Sequence, residues 1–265
     1  MPVWLLDRHI AGGYEGPMAT RTAKSKPRAA AKGASEASGL SRATIVAAAL
    51  DLIDEQGLEV FSLRGVAKRL GVYPTAVYWY VDNKDKLLAE AVALAFQPEE
   101  PPNPTADWRT DIRKLFRRWR AAIRRHPNIA PAVGSQLASN TDVQFELVER
   151  ILNDLSRAGF EGKALIGAYN AIVASVVGFV AQEFAAIPRD DLANFQDQMK
   201  NRLLTVDPKT YPLLAANVPL LANRAFILRW QNGAEAPLED SFEFYIDIVI
   251  AGLEAILASA KAGKA

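Results

Sequence analysis

Ser62-Leu63-Arg64-Gly65-Val66-Ala67-Lys68-Arg69-Leu70-Gly71-Val72-Tyr73-Pro74-Thr75-Ala76-Val77-Tyr78-Trp79-Tyr80 is the stretch that decides the fold. Ser62 can cap a short helix in which Leu63, Val66, Ala67 and Leu70 recur at helical spacing and share an inward face. Gly71 ends that helix, and Gly71-Val72 leaves room only for a tight turn. Pro74 then opens a second helix, where a missing N–H costs nothing. Two short helices so joined have helix-turn-helix spacing, with the small Ala67 where the second must cross the first. The second is too short and too aromatic to persist alone. Its hydroxyls and methyls can reach base edges and its phenols can reach phosphates. One face must pack inward, and for Val77, Tyr78 and Trp79 packing and contact are both open. Residues 62–86 hold five basic side chains (Arg64, Lys68, Arg69, Lys84, Lys86) and two acidic ones (Asp82, Asp85), a local +3 that a dimer would double.

Working outward, Ser41 can cap a helix with Ile45, Ala49, Leu52 and Ile53 on one face, stopped by Gly57. Asn83 can cap another, with Leu87, Leu88, Ala91, Val92, Leu94 and Ala95 inward. Four prolines in the eight residues from Gln97 to Pro104 break any helix, and the domain boundary is placed there. Beyond it, period-3.6 patterns give helices over 106–125, 140–158, 161–187, 189–204 and 239–260. Residues 205–238 are expected to hold short helices and loop. Strand signals are nearly absent. The expectation is an all-α chain: a helix-turn-helix domain at 41–97 with a connecting helix at 83–97, a Pro-rich linker at 98–105, and a larger helical bundle at 106–265. The glycine- and alanine-rich helices 161–187 and 239–260 carry more apolar face than one bundle needs. They are expected to form a four-helix homodimer interface, two helices from each copy.

Upstream, residues 19–32 carry five basic side chains and no acidic one among small and polar residues. Residues 1–40 therefore read as a disordered basic extension, either a solvated tail or an arm that seeks phosphate or minor groove. They lack the charge and apolar pattern of a signal peptide, and Met18 is a candidate natural start. The nineteen uncharged residues from Ala164 to Gln182 are long enough to span a bilayer. Tyr169, Asn170, Ser175 and Gln182 and many small residues dilute them, so they are read as a buried bundle helix and no membrane contact is expected.

Composition closes off several classes. The chain has 265 residues, half of them hydrophobic, and a net charge of +1, which is enough apolar surface for a large core. No cysteine is present, so disulfides, thiolate zinc sites, iron–sulfur clusters and cysteine nucleophiles are excluded. Histidine occurs only as His9 and His126, which disfavours a multi-histidine metal centre. No nucleophile–base pair, Gly-rich phosphate loop or metal-spaced carboxylate cluster is visible, so neither an enzyme nor a cofactor is expected.

These residues resemble the tetracycline-repressor (TetR) family. The likeness rests on Ala47-Ala48-Ala49-Leu50 followed by Gly57, on the run Phe61 to Val72, on Val77-Tyr78-Trp79-Tyr80-Val81 and on Asn83 to Leu88. Asp207-Pro208, Tyr211-Pro212, Phe242 to Asp247 and Gly252-Leu253-Glu254 extend it toward the tetracycline-repressor branch itself. The resemblance implies an all-α homodimer in the cytoplasm that binds double-stranded operator DNA and releases it when a small-molecule effector enters the larger domain. Carried over residue by residue, it implies base or backbone contacts for Tyr73, Pro74, Thr75 and Tyr78, with Trp79 either in contact or packed on the fourth helix. Phosphate contacts fall to Thr44, Ser62, Arg64, Tyr80 and Lys84. Candidate effector-lining residues are aromatics and lone polar groups on apolar helices: Phe116, Trp119, His126, Tyr169, Asn170, Phe179, Gln182 and Phe184. With His126 the only histidine in that domain, a tetracycline–magnesium site is not supported, and a largely apolar effector is expected. Repressor, activator and effector-free DNA-organising protein remain as alternatives.

Overall fold

The computed structural model describes residues 39–97, 104–139, 145–188 and 191–262, apart from the side chains of 135–139 and 261. Residues 1–38, with the basic arm and Met18, lie outside the described residues, as do 98–103 of the Pro-rich linker and the first residues of the helices expected at 140 and 189.

The chain forms helices α1 (Arg42–Gln56), α2 (Leu63–Arg69), α3 (Pro74–Tyr78) and α4 (Lys84–Ala95), which make the head. The body contains α5 (Trp108–Arg125), α6 (Ala130–Ser139), α7 (Phe145–Ala158), α8 (Gly162–Glu183), α9 (Leu192–Leu204), α10 (Pro212–Leu221) and α11 (Glu239–Ala262). Short 3-10 turns at Pro127–Ile129 and Phe226–Leu228 precede α6 and the loop into α11. Among the described residues there is no strand. Leu40–Ala265 packs as one compact unit.

Local chemistry sets the ends of the head helices. At α1 the Thr44 amide donates to the Ser41 hydroxyl (3.1 Å) and the Ser41 amide donates to the Thr44 hydroxyl (2.8 Å), a reciprocal cap. Ser62 caps α2 by accepting from the Gly65 amide (3.1 Å), and Asn83 caps α4 by accepting from the Lys86 amide (2.8 Å). Ile45, Ile53, Phe61, Val66, Val77 and Leu87 are fully buried and make the centre of the head. Arg42 on α1 pairs with Glu90 on α4, and Arg69 on α2 pairs with Glu55 on α1, so α1, α2 and α4 are braced together.

The body holds charge in its interior, which the sequence reading did not anticipate. Glu183, at the end of α8, is buried and accepts from Arg120 Nε (2.7 Å), Arg120 Nη2 (2.6 Å) and the Leu238 amide (2.8 Å). Arg120 also pairs with Glu239 and lies over the Phe242 ring. Burial alone would push the Arg120 guanidinium down; the two carboxylates reverse this and hold it above its ordinary value. The loop before α11 fits beside the pair only because residue 233 is glycine. Its amide donates to the Glu183 carbonyl (2.7 Å), and a Cβ there would lie 2.6 Å from Glu183 Cγ.

Three expectations are modified. Helix α6 was not foreseen, and no element was assigned to residues 128–139; proline is harmless in its first turn, and packing against α4 and α8 holds the helix. The helix expected to end at 187 stops at Glu183, where Phe184 leaves the helical path. The apolar α8 is not buried all round. Its most apolar window has mean hydropathy 1.9 and only 28% of it is buried in the chain, because one face of Ile166, Gly167, Asn170, Ala171, Ala174 and Gly178 remains open. Helix α11 likewise leaves Phe244, Ile248 and Ile256 exposed.

Candidate nucleic-acid interface

The turn between α2 and α3 is built from backbone. Gly71 takes φ of +67°, a left-handed conformation that a side chain would strain, and the Val72 amide then donates back to the Ala67 carbonyl (3.0 Å). Tyr73 is extended, Pro74 supplies the first helical residue, and the Ala76 amide donates to the Tyr73 carbonyl (2.9 Å). Helix α3 is therefore only five residues long and is held by Val77, which is completely buried. With Val77 inward, the rest of the rod faces out. Tyr73 is 85% exposed, Tyr78 53% and Trp79 79%, and Thr75 is exposed beside them. Trp79 does not pack beneath the fourth helix. Three large aromatics open to water on one short rod are an unusual expense of apolar surface for a lone chain, and such surface marks a contact site.

The proposed phosphate-binding residues fall into two groups. Arg64 and Lys84 are exposed, and Lys84 stands at the start of α4 with its ammonium 5.6 Å from the Phe61 ring centre. Thr44, Ser62 and Tyr80 have structural duties. The first two hydroxyls serve the caps of α1 and α2, and the Tyr80 hydroxyl donates to the Leu40 carbonyl (3.0 Å), tying down the start of the head. Arg69 and Lys86 are neutralised by Glu55 and Asp82, whose carboxyls these partners hold below the usual range. Among the described residues of the segment 62–86, Arg64, Lys68 and Lys84 have no acidic partner. Lys68 is thus a further candidate cation, which the sequence reading counted but did not single out.

The candidate effector residues are not brought to one place. Phe116 and Phe179 meet through Phe242, and Phe179 also touches Phe226 (5.3 Å between centres) and stacks on Tyr245 (5.3 Å), which makes an aromatic nest between α5, α8 and α11. Phe184 is buried beside Gly233. Tyr169 is half-buried, while Asn170 and Gln182 lie on the open side of α8. Trp119 and His126 sit instead where the body meets the head: Trp119 packs on Phe96 at the end of α4 (5.3 Å), and His126 Nδ1 lies 2.7 Å from Asp54 on α1. Phe226, Phe242 and Tyr245, which complete the nest, were not among the candidate effector residues; Phe242 and Tyr245 read only as the apolar face of the last helix, and Phe226 lies in the proline-rich stretch where no period is legible. Among the described residues no cluster of metal-ligating side chains occurs.

Comparison with known proteins agrees with this architecture. Residues 45–91 match the family model "Bacterial regulatory proteins, tetR family", and residues 100–257 match "Tetracyclin repressor-like, C-terminal domain". The chain is 27% identical over 225 residues to the tetracycline repressor protein class C of Escherichia coli, covering 81% of this chain and 91% of that protein. A crystal structure of BioQ with its natural double-stranded DNA operator is 28% identical with a TM-score of 0.50, covering 55% of this chain and 88% of that one. ActR of Streptomyces coelicolor in complex with actinorhodin has the same fold at 22% identity, with a TM-score of 0.60 and coverage of 82% and 96%. The helix-turn-helix head, its outward aromatic rod and these matches together place the chain in the TetR family of ligand-responsive, DNA-binding transcriptional regulators.

Proposed function

We propose that the chain is a homodimeric repressor whose two α3 rods enter successive major grooves of an operator, and which a small, largely apolar effector releases. The observation that carries this reading is the outward set Tyr73, Thr75, Tyr78 and Trp79 on a helix anchored by the buried Val77. Pro74 starts the rod and brings its backbone close to the duplex. Arg64 and Lys84 hold phosphates, with Lys68 beside them, and the hydroxyls of Thr44, Ser62 and Tyr80 contact the backbone within the limits of their structural bonds. The division into a reading domain at 41–97, a linker at 98–105 and an effector and dimerisation domain at 106–265 follows from this reading.

Dimerisation through α8 and α11 is supported by the open apolar faces on both helices. Each would cover its copy in a partner, as an isologous interface requires. The effector is placed against the nest of Phe116, Phe179, Phe226, Phe242 and Tyr245, whose aromatic lining favours an apolar ring system. Coupling must be reciprocal, so operator DNA weakens effector binding by the factor by which effector weakens operator binding. Such a regulator acts in the cytoplasm, where its operator is.

The test is a gel-shift at fixed salt with the duplex that the purified protein retains from genomic fragments. Replacing Tyr78 by Ala should cost about 1–3 kcal/mol of operator affinity with the dimer intact. Unchanged affinity in that variant and in Tyr73→Ala would contradict the reading.

A further inference from the structure

We propose that Asp54, His126 and Asn128 form a clasp that sets the angle of the head on the body, and so the half-site spacing the protein accepts; the second clause rests on the dimeric operator-binding function proposed above. Helix α1 ends at Gln56, and the carbonyls of its last turn need partners from outside the helix. Asn128 supplies one: its Nδ2 donates to the Asp54 carbonyl (2.8 Å), and also to the Ile53 carbonyl (3.0 Å), which already accepts from the Gly57 amide (2.8 Å). His126 Nδ1 lies 2.7 Å from Asp54 Oδ2. The other oxygen, Asp54 Oδ1, is buried and has no hydrogen-bond partner, so the carboxylate depends on His126. Both clasp residues are rigidly presented. His126 terminates α5, and Pro127 opens the 3-10 turn that carries Asn128.

The clasp matters because of where the other attachment lies. It runs along α4: Phe96 packs on Trp119 of α5 (5.3 Å between ring centres), and the helix also packs against α6. The head is braced internally by Arg42–Glu90 and Arg69–Glu55, so it moves as one piece. Two separated attachments fix the orientation of a rigid piece, whereas one leaves a hinge. Without His126, a partly buried carboxylate would lose its partner, and the head would be free to swing about α4, which keeps its packing on α5 and α6. A swinging head places α3 at varied distances from its twin, and groove spacing is the quantity a dimeric reader measures.

The chain has no cysteine, so Lys68→Cys with Glu149→Cys puts one spin label on α2 of the head and one on α7 of the body. Diluting labelled chain into unlabelled chain restricts the measured distance to one protomer. With His126 and Asn128 in place, a single narrow distance is expected. His126→Ala and Asn128→Ala should each replace it by a spread of distances, with helix content by circular dichroism unchanged. His126→Gln, whose amide can still donate to Asp54, should restore the narrow distance. In parallel, unlabelled proteins select from duplexes carrying two half-sites at varied spacing. The wild type should enrich one spacing and the alanine variants several. A narrow distance retained by both alanine variants, or broadening that glutamine does not reverse, would overturn the clasp. An unchanged spacing preference despite broadening would overturn its role in reading. Failure of the wild type to select any duplex counts against the operator-binding function, while the distance measurement still judges the clasp.

Discussion

Replacing Glu183 by Gln keeps the shape of the side chain and removes its charge, so it isolates what the buried ion pair contributes. Glu183 accepts three hydrogen bonds, two from Arg120 and one from the Leu238 amide. A glutamine has one acceptor oxygen and turns two N–H donors toward groups that are themselves donors. Removing one partner of a buried pair costs about 3–5 kcal/mol, because the remaining charge is left in the interior. Arg120 keeps Glu239, which is half exposed, so the lower end applies, about 3 kcal/mol. For a unit of this size each kcal/mol shifts the melting temperature by about 2–4 °C, so a fall of roughly 6–12 °C is expected. The assay is thermal unfolding followed by far-ultraviolet circular dichroism at one fixed protomer concentration, since association shifts the midpoint. The double variant Arg120→Met, Glu183→Leu should recover much of the loss, as an apolar replacement strands no charge. A fall below about 2 °C for Glu183→Gln would refute the view that this pair is an integral part of the interior.

Two buried carboxylates share Arg157 and should respond to pH in opposite senses. Burial pushes Asp111 up, but the Thr105 amide and Arg157 outweigh it and hold the carboxyl below its ordinary value; burial, with the nearby Asp111 charge, pushes Asp154 above it. The stability from Asp111 is present above the ordinary Asp range and lost as pH falls through its lowered value. Asp111→Asn should therefore cost about 2 kcal/mol near neutral pH and progressively less in acid, whereas Asp154→Asn should be neutral or stabilising near neutral pH; denaturant titrations at several pH values check both. If the two heads of a dimer each bring Arg64, Lys68 and Lys84 to phosphates, log affinity against log salt should fall with a slope of about −5, and a slope near zero would deny phosphate contact. Ile248→Glu should give a monomer in sedimentation, because it charges the open face of α11. Gly71→Val should weaken operator binding and lower stability by about 1–2 kcal/mol, since Gly71 has φ of +67° and valine strains there; an unchanged melting temperature would show the turn relaxes.

The head was legible because its signals are local. Ser41, Ser62 and Asn83 are caps at the positions their neighbours require, Gly71 needs its left-handed φ, and Pro74 starts a helix where proline is favoured. That one face of the rod must be inward left Val77 and Tyr78 both open as the packed residue, and the structure buries Val77. The body was less legible because its decisive contacts are distant in sequence. Arg120 meets Glu183 across α5 and α8, and Asp54 meets His126 across the head–body junction. Neither pair has a spacing to betray it, so Glu183 was not singled out and His126 read as a pocket residue. Helix α6 was hidden by Pro131 and Gly134, which break helices in isolation but are tolerated under packing. The aromatic nest draws on Phe226 from a stretch without periodicity, and only tertiary structure brings that ring to Phe179.

The central claim is that the aromatic rod of α3 lies against duplex DNA. Hydroxyl-radical labelling read by mass spectrometry tests it residue by residue, on the protein alone and with its selected operator. Tyr73, Tyr78 and Trp79 should be reactive in the free protein and protected in the complex, while Tyr211, exposed in the body, should stay reactive in both. Persistent reactivity of all three head aromatics in a saturated complex, with protection elsewhere, would contradict the account.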